Sequence, residues 1–219
     1  MSKSLGNVVD PFQLVEKYGR DYTRYFLMSE VTFGADGDFS AANMVVKCNA
    51  ALANSFGNLV QRTLSMVHKN CDKAVPACQA LTPEDVLILS KARSIKATMD
   101  DKIARMELHL YSRCLVDLVR DANVYVDEQA PWGLKKTDPE RMGTVLYVLC
   151  EVIRCITLGF QPLMPDGTSK ILDQLGVPEE ERGLDCISDE KCAIASGRAI
   201  NKPEGVFPRF EEVEEETDK

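Results

Sequence analysis

The sequence predicts an all-α chain, an antiparallel helical bundle preceded by a short N-terminal loop segment. Two observations predict it. Three stretches open on helix-start chemistry: Asp10-Pro11, Thr82-Pro83-Glu84-Asp85 and Thr137-Asp138-Pro139-Glu140. Each pairs a side-chain acceptor for orphan backbone amides with proline, whose fixed φ suits the first helical position. Long runs after these starts repeat their apolar residues at helical spacing.

In chain order, Asp10-Pro11 opens a short helix through Phe12, Leu14, Val15 and Tyr18 that stops at Gly19. Asp21 starts a second helix through Tyr22, Tyr25, Phe26 and Met28. Phe33–Ser40 is turn-rich, and Ser40 caps the third helix. From Ala41 to about His68 that helix is expected to run unbroken, with Val45, Cys48, Leu52, Phe56, Leu59, Thr63 and Met66 on its buried face. Asn58 and Arg62 share an edge of that face. A loop with Pro76 comes next. A helix then runs from Thr82 to Lys102 or beyond. Another runs from about Glu107 to Glu128 and ends near Ala130, because a residue before proline is pushed out of the α region. The helix opening at Thr137 is apolar almost all round, which marks the centre of the bundle. Pro162 and Pro165 end it, and a last short helix spans Thr168 to Leu175. The expected divisions are 1–40, 41–176 as the bundle, and 177–219 as an extension with an acidic tail.

Composition excludes little. Over 219 residues, 45% hydrophobic and 27% charged residues describe an ordinary globular chain. No apolar run approaches the roughly 20 residues of a membrane span, so no membrane partner is expected, and no signal peptide precedes the polar start. The net charge of −8 argues weakly against nucleic acid, but the tail from Glu211 alone holds six acids and one base. Local distribution of charge matters more than the total. The eight cysteines form no C-x-x-C pair and the two histidines lack zinc-finger spacing, so no metal site is expected. Most of these cysteines are expected in helices as small buried hydrophobes, in a reducing compartment.

Two stretches carry chemistry. Ser2-Lys3-Ser4 with Gly6 and Asn7 places an ammonium, two hydroxyls and backbone amides in one short loop, which suits a phosphate; taken alone it also fits a polar chain start. Asn123 to Trp132 (NVYVDEQAPW) places Asn123 and Asp127 one helical turn apart, then breaks the helix at Pro131 beside the only tryptophan. Trp132 there fits a stacking platform for an unpaired base, or a ring folded back to seal the bundle's end.

The opening SKSLGNVVDP resembles the KMSKS loop of class I aminoacyl-tRNA synthetases, and QAPW, NSFGNLVQR, FGADGDFS and VFPRFE resemble methionyl-tRNA synthetases. The likeness covers the chain up to the acidic tail. It implies a methionine–tRNA ligase using ATP with Mg2+, represented here by its C-terminal part, with residues 1–40 as the KMSKS-loop and stem-contact segment, 41–176 as the anticodon-binding bundle, and the catalytic domain upstream because no HIGH motif occurs. It implies that Lys3, with Ser2 and Ser4, acts on ATP. It implies that Asn58, Arg62, Pro131 and Trp132 contact the CAU anticodon of methionine tRNA, supported by Asn123 and Asp127. The chain alone is then expected to be inactive, in the cytoplasm or in an organelle. The rival readings are a free-standing tRNA-binding or helical interaction module without catalysis, and a structural bundle whose acidic tail meets protein partners.

Overall fold

A computed structural model describes residues 9–35, 37 and 39–211. The fold is helical, and among the described residues the only β pairing is an isolated antiparallel bridge between Ala74 and Ala199. Helices α1 (Pro11–Tyr18) and α2 (Arg20–Glu30) form the N-terminal layer. Asp10 caps α1 by accepting from the Phe12 amide at 2.8 Å, and Gly19 turns the chain at φ 83°. Ser40 caps α3 (Ala41–Cys48), accepting from the Asn43 amide.

The expected unbroken helix contains a nine-residue π segment, Asn49–Gly57, between α3 and α4 (Asn58–Asn70). The wider turn rotates the buried face. Val45, Cys48, Leu52, Phe56, Leu59 and Thr63 are buried as the period predicts, but Val67, not Met66, completes the stripe. Short π segments commonly mark functional positions. This one ends against Asn58.

The bundle proper is α5 (Pro83–Ala104), α6 (Leu108–Gln129) and α8 (Pro139–Phe160), which pack mutually, with the short α7 (Pro131–Thr137) between α6 and α8. The three-residue link between α5 and α6 makes them antiparallel neighbours. Helix α7 is absent from the sequence-based expectation: Pro131 ends α6 and also begins α7. Helix α8 is long and apolar enough to cross a membrane, contrary to expectation, but 94% of that window is buried inside the bundle. It is the central helix.

Helix α9 (Pro165–Gln174) begins three residues before its expected start. Its cap comes from elsewhere in the chain: Asp21 on α2 accepts from the backbone amides of Asp166 and Gly167. Pro165 therefore starts a helix instead of only ending one. Of the eight cysteines, only Cys48, Cys150 and Cys155 are fully buried, and Cys71 and Cys78 lie in a loop, so the expectation of mostly helical, buried cysteines holds only in part.

The segment after α9 returns across the molecule. It pairs with the loop after α4, where the Val75 amide donates to the Arg198 carbonyl at 2.8 Å. Farther on, Phe207 and Phe210 pack edge-on against Tyr22, 6.1 and 4.9 Å between ring centres. Asn49 donates to and accepts from the Phe210 backbone at 2.8 and 3.0 Å. A Cβ at Gly167 would lie 2.6 Å from the Phe207 ring, so the ring sits where only glycine admits it. Phe207→Ala is expected to cost about 3–4 kcal/mol by removing a buried ring. A urea melt with an unchanged midpoint would show that this segment merely lies on the surface.

Candidate nucleic-acid interface

The structure brings together most of the residues the sequence singles out, at the end of the bundle where α4, α6 and α7 meet. Arg62 on α4 donates to Asp127 on α6 at 2.9 Å. Its guanidinium carbon lies over the Trp132 ring, 5.2 Å from the centre, a cation–π distance. Trp132 is 50% exposed. The ring does not seal the bundle, and it sits within the first turn of α7, not in a loop past a helix end. Asn58 is exposed one turn before Arg62. Asn123 points into the groove between helices, donating to the Val119 carbonyl at 3.0 Å and to the Ser55 hydroxyl at 3.4 Å. Pro131 is buried at the first position of α7. Ser2, Lys3 and Ser4 lie outside the described residues, as does the acidic tail beyond residue 211.

The aim of Trp132 depends on the elbow between α6 and α7. Ala130 there has φ 42°, ψ 56°, a left-handed conformation costly for any residue with a Cβ. A buried network holds the elbow. Asp85, 0% exposed, accepts from the Thr82 amide at 2.9 Å at the start of α5 and from the Tyr125 hydroxyl of α6. It also accepts two bonds from Arg141 of α8, one at 2.8 Å, and Arg141 donates onward to the Gln129 side chain at 2.6 Å. Gln129 immediately precedes the elbow. The sequence reading takes Asp85 only as a first-turn acid and Tyr125 and Gln129 only as part of the NVYVDEQAPW stretch, and it gives Arg141 no role. The signal was partly visible, because Asp85 is the acid of the capping box at the start of α5 and Arg141 directly follows the start signal of α8.

Burial pushes the Asp85 carboxyl upward, but the bonds from Arg141, Tyr125 and the Thr82 amide outweigh it and hold the group below its ordinary value. The same burial, with Asp85 beside it, raises the Tyr125 phenol well above its ordinary range. The folded state thus favours ionised Asp85. Its contribution is complete above the unfolded carboxyl's pKa of about 3.9 and is lost as pH falls through the lower folded value. Asp85→Asn is expected to cost about 3 kcal/mol at neutral pH, because Arg141 loses its partner. That difference should shrink below about pH 4. Urea midpoints across pH check this, and a pH-independent difference would contradict it.

No cluster of three His, Cys, Asp or Glu side chains suited to a metal occurs among the described residues.

Residues 1–64 match the family described as tRNA synthetases class I (M), and residues 75–219 the anticodon binding domain of methionyl tRNA ligase. Among curated relatives, methionine–tRNA ligase of Rhizobium meliloti is 44% identical over 96% of this chain and 40% of its own length. That of Brucella suis is 46% identical over 99% of this chain and 42% of its own. The chain thus spans about two fifths of the relatives it matches. Among solved structures, Mycobacterium tuberculosis methionyl-tRNA synthetase in complex with methionyl-adenylate superposes with TM-score 0.91 at 41% identity, over 95% of this chain and 41% of that one. The apo form of that enzyme gives 0.89 at 38%, over 93% and 41%.

Proposed function

The chain belongs to the methionine–tRNA ligase family, and on that premise we propose that it carries the surface that selects methionine tRNA by its CAU anticodon. The whole protein would attach methionine to that tRNA using ATP. The observation that supports the reading is the grouping of Asn58, Arg62, Asp127 and Trp132 at one exposed end of the bundle. Each group has a distinct task. Half of the Trp132 surface is open, offering an unpaired base a π-face. Asp127 holds Arg62 against the ring, so the guanidinium is already ordered when RNA arrives, which lowers the entropy lost on binding. The exposed Asn58 side-chain amide bonds no described residue and offers a base one donor edge and one acceptor edge. Asn123 steadies the groove behind them. Pro131, being buried, acts by setting the direction of α7.

Activation of methionine would fall to the rest of the protein together with Lys3, Ser2 and Ser4. Lys3 would neutralise charge on the departing phosphates of ATP, whose Mg2+ finds no evident ligand cluster among the described residues. The chain without a nucleotide-binding fold would then not form adenylate, because it cannot hold two substrates in line.

Trp132→Ala should weaken binding of a methionine anticodon stem-loop by ~1–3 kcal/mol, roughly 5- to 150-fold, with Trp132→Phe recovering part. Asn58→Ala should relax discrimination against altered anticodons, because base edges carry the sequence information. Each variant is titrated and melted in parallel. Loss of stability with binding intact would make Trp132 a core residue and remove the assignment. In the full-length protein, Lys3→Ala should slow methionine-dependent ATP–pyrophosphate exchange more than it weakens tRNA binding. An unchanged exchange rate would remove the role of Lys3.

A further inference from the structure

The chain carries eight cysteines, and their thiols are not alike. Cys48, Cys78, Cys114 and Cys155 each donate to a backbone carbonyl, of Tyr22 at 3.8 Å, Gln79 at 3.6 Å, Tyr111 at 3.1 Å and Ile187 at 3.8 Å. Cys150 is fully buried, with Cys71 beside it. Cys186 and Cys192 differ from these, because their thiols hydrogen-bond to each other. Both are half-buried, so a small solute reaches them from water.

The fold holds the pair together. Cys186 lies in a single 3₁₀ turn, Leu184–Ile187, and Cys192 closes a second one, Glu190–Cys192, packed against the first. The central helix α8 holds both turns. Arg154 donates to the Cys186 carbonyl at 2.9 Å, and Glu151 accepts from the Ile194 amide at 2.9 Å. On the other side, Lys96 of α5 pairs with Asp185 at 3.3 Å. The two ends of the loop are thus fixed, while residues 188–191 between them are exposed. Thiols already in contact lose little freedom on joining, and an exposed loop can yield the short closure to an S–S bond of about 2 Å. The bond to Cys186 first, and burial second, push the Cys192 thiol up to about 11. Cys192 is therefore the proton donor of the pair, and Cys186 is the sulfur left open to an electrophile.

We propose that Cys186 and Cys192 are a modification site, closing to a reversible disulfide when a hydroperoxide reaches them. The Cys186 thiolate attacks the terminal peroxide oxygen. An S–O bond forms, the O–O bond breaks, and the departing oxygen takes up the proton that Cys186 released. This step leaves a sulfenic acid on Cys186 and an alcohol, or water where the oxidant is hydrogen peroxide. The Cys192 sulfur then attacks the Cys186 sulfur. The S–S bond forms, the S–O bond breaks, and the hydroxyl leaves as water with the Cys192 proton. Two thiols lose two electrons and one peroxide gains two. Two equivalents of a small thiol reverse the bond by exchange, as suits a chain from a reducing compartment.

The test treats the reduced chain with hydrogen peroxide, both folded and unfolded in guanidinium chloride. Free thiols are then blocked with N-ethylmaleimide, and the chain is digested with trypsin without reductant. Cleavage after Arg182, Lys191 and Arg198 puts the two cysteines on separate peptides, residues 183–191 and 192–198. From the folded chain these should appear joined, two hydrogens lighter than their sum, and dithiothreitol should part them. This cross-link should exceed any other by about tenfold, because the fold supplies a high effective concentration of one thiol at the other. From the unfolded chain, Cys71–Cys78 and Cys150–Cys155 should compete with it, being similarly spaced in sequence. Cys192→Ser should leave a sulfenic acid on Cys186 that dimedone traps, whereas Cys186→Ser should leave none on Cys192. The same partition of cross-links in folded and unfolded chains overturns the proposal, since nearness in sequence would then explain the bond. A dominant Cys71–Cys150 bond also overturns it, as does a peroxide-treated folded chain in which Cys186 and Cys192 both still take up N-ethylmaleimide in full. Dimedone on Cys192 with none on Cys186 would overturn the order of the two steps.

Discussion

Asp85 is a carboxylate with no exposure to solvent, and three helices meet at its two oxygens. It holds the first turn of α5, the C-terminal end of α6 through Tyr125 and the start of α8 through Arg141. Arg141 then reaches Gln129, the last residue of α6. A buried ion pair adds little net stability over a well-packed apolar core, since both charges must first leave water. Its value here is geometric. Apolar helices can slide or rotate against one another at small cost, whereas a carboxylate with four donors has one arrangement that satisfies all of them. That arrangement fixes where α6 ends, and therefore where Ala130 turns and where Trp132 points.

A second buried carboxylate works in the same way deeper in the bundle. Glu151 on α8 accepts from Arg154 at 2.8 and 2.9 Å and from the Ile194 amide at 2.9 Å. Arg154 donates in turn to the Cys186 carbonyl at 2.9 Å. The irregular chain after α9 has few regular backbone bonds of its own, so these side chains tie it to the central helix. Phe207 and Phe210 then tie its far end to α2 and the π segment. The C-terminal chain is a strap across the N-terminal layer and the bundle, and the division of the sequence at residue 176 conceals this.

Local chemistry was legible in the sequence and nonlocal chemistry was not. Asp10, Ser40 and Asp138 were readable as caps because each bonds an amide within three residues of itself. The cap of α9 was not, because Asp21 supplies it from the other end of the chain. Helical period located the central helix, but it could not register the π segment, after which Val60, Leu64 and Val67 join the buried face and Met66 falls to its edge. Pro131 reads as a helix breaker from its missing amide. That it also starts a helix depends on the Asp85 network, which joins residues far apart in sequence. The candidate site residues Asn58, Arg62, Asp127 and Trp132 were singled out through their family resemblance. The contact of Arg62 with both Asp127 and the indole ring belongs to the fold alone.

Recognition of the tRNA depends, in this reading, on Trp132 meeting a base of the anticodon loop. Trp132 is the chain's only tryptophan, so its fluorescence reports that one ring. Titration with a methionine anticodon stem-loop should quench the emission to saturation, with a midpoint that matches binding followed through a label on the RNA. A stem-loop with the same stem and an altered anticodon should reach the same quenching only at higher concentration. Saturable binding of the labelled RNA with tryptophan emission unchanged would contradict the claim, because RNA would then be bound without contact to this ring.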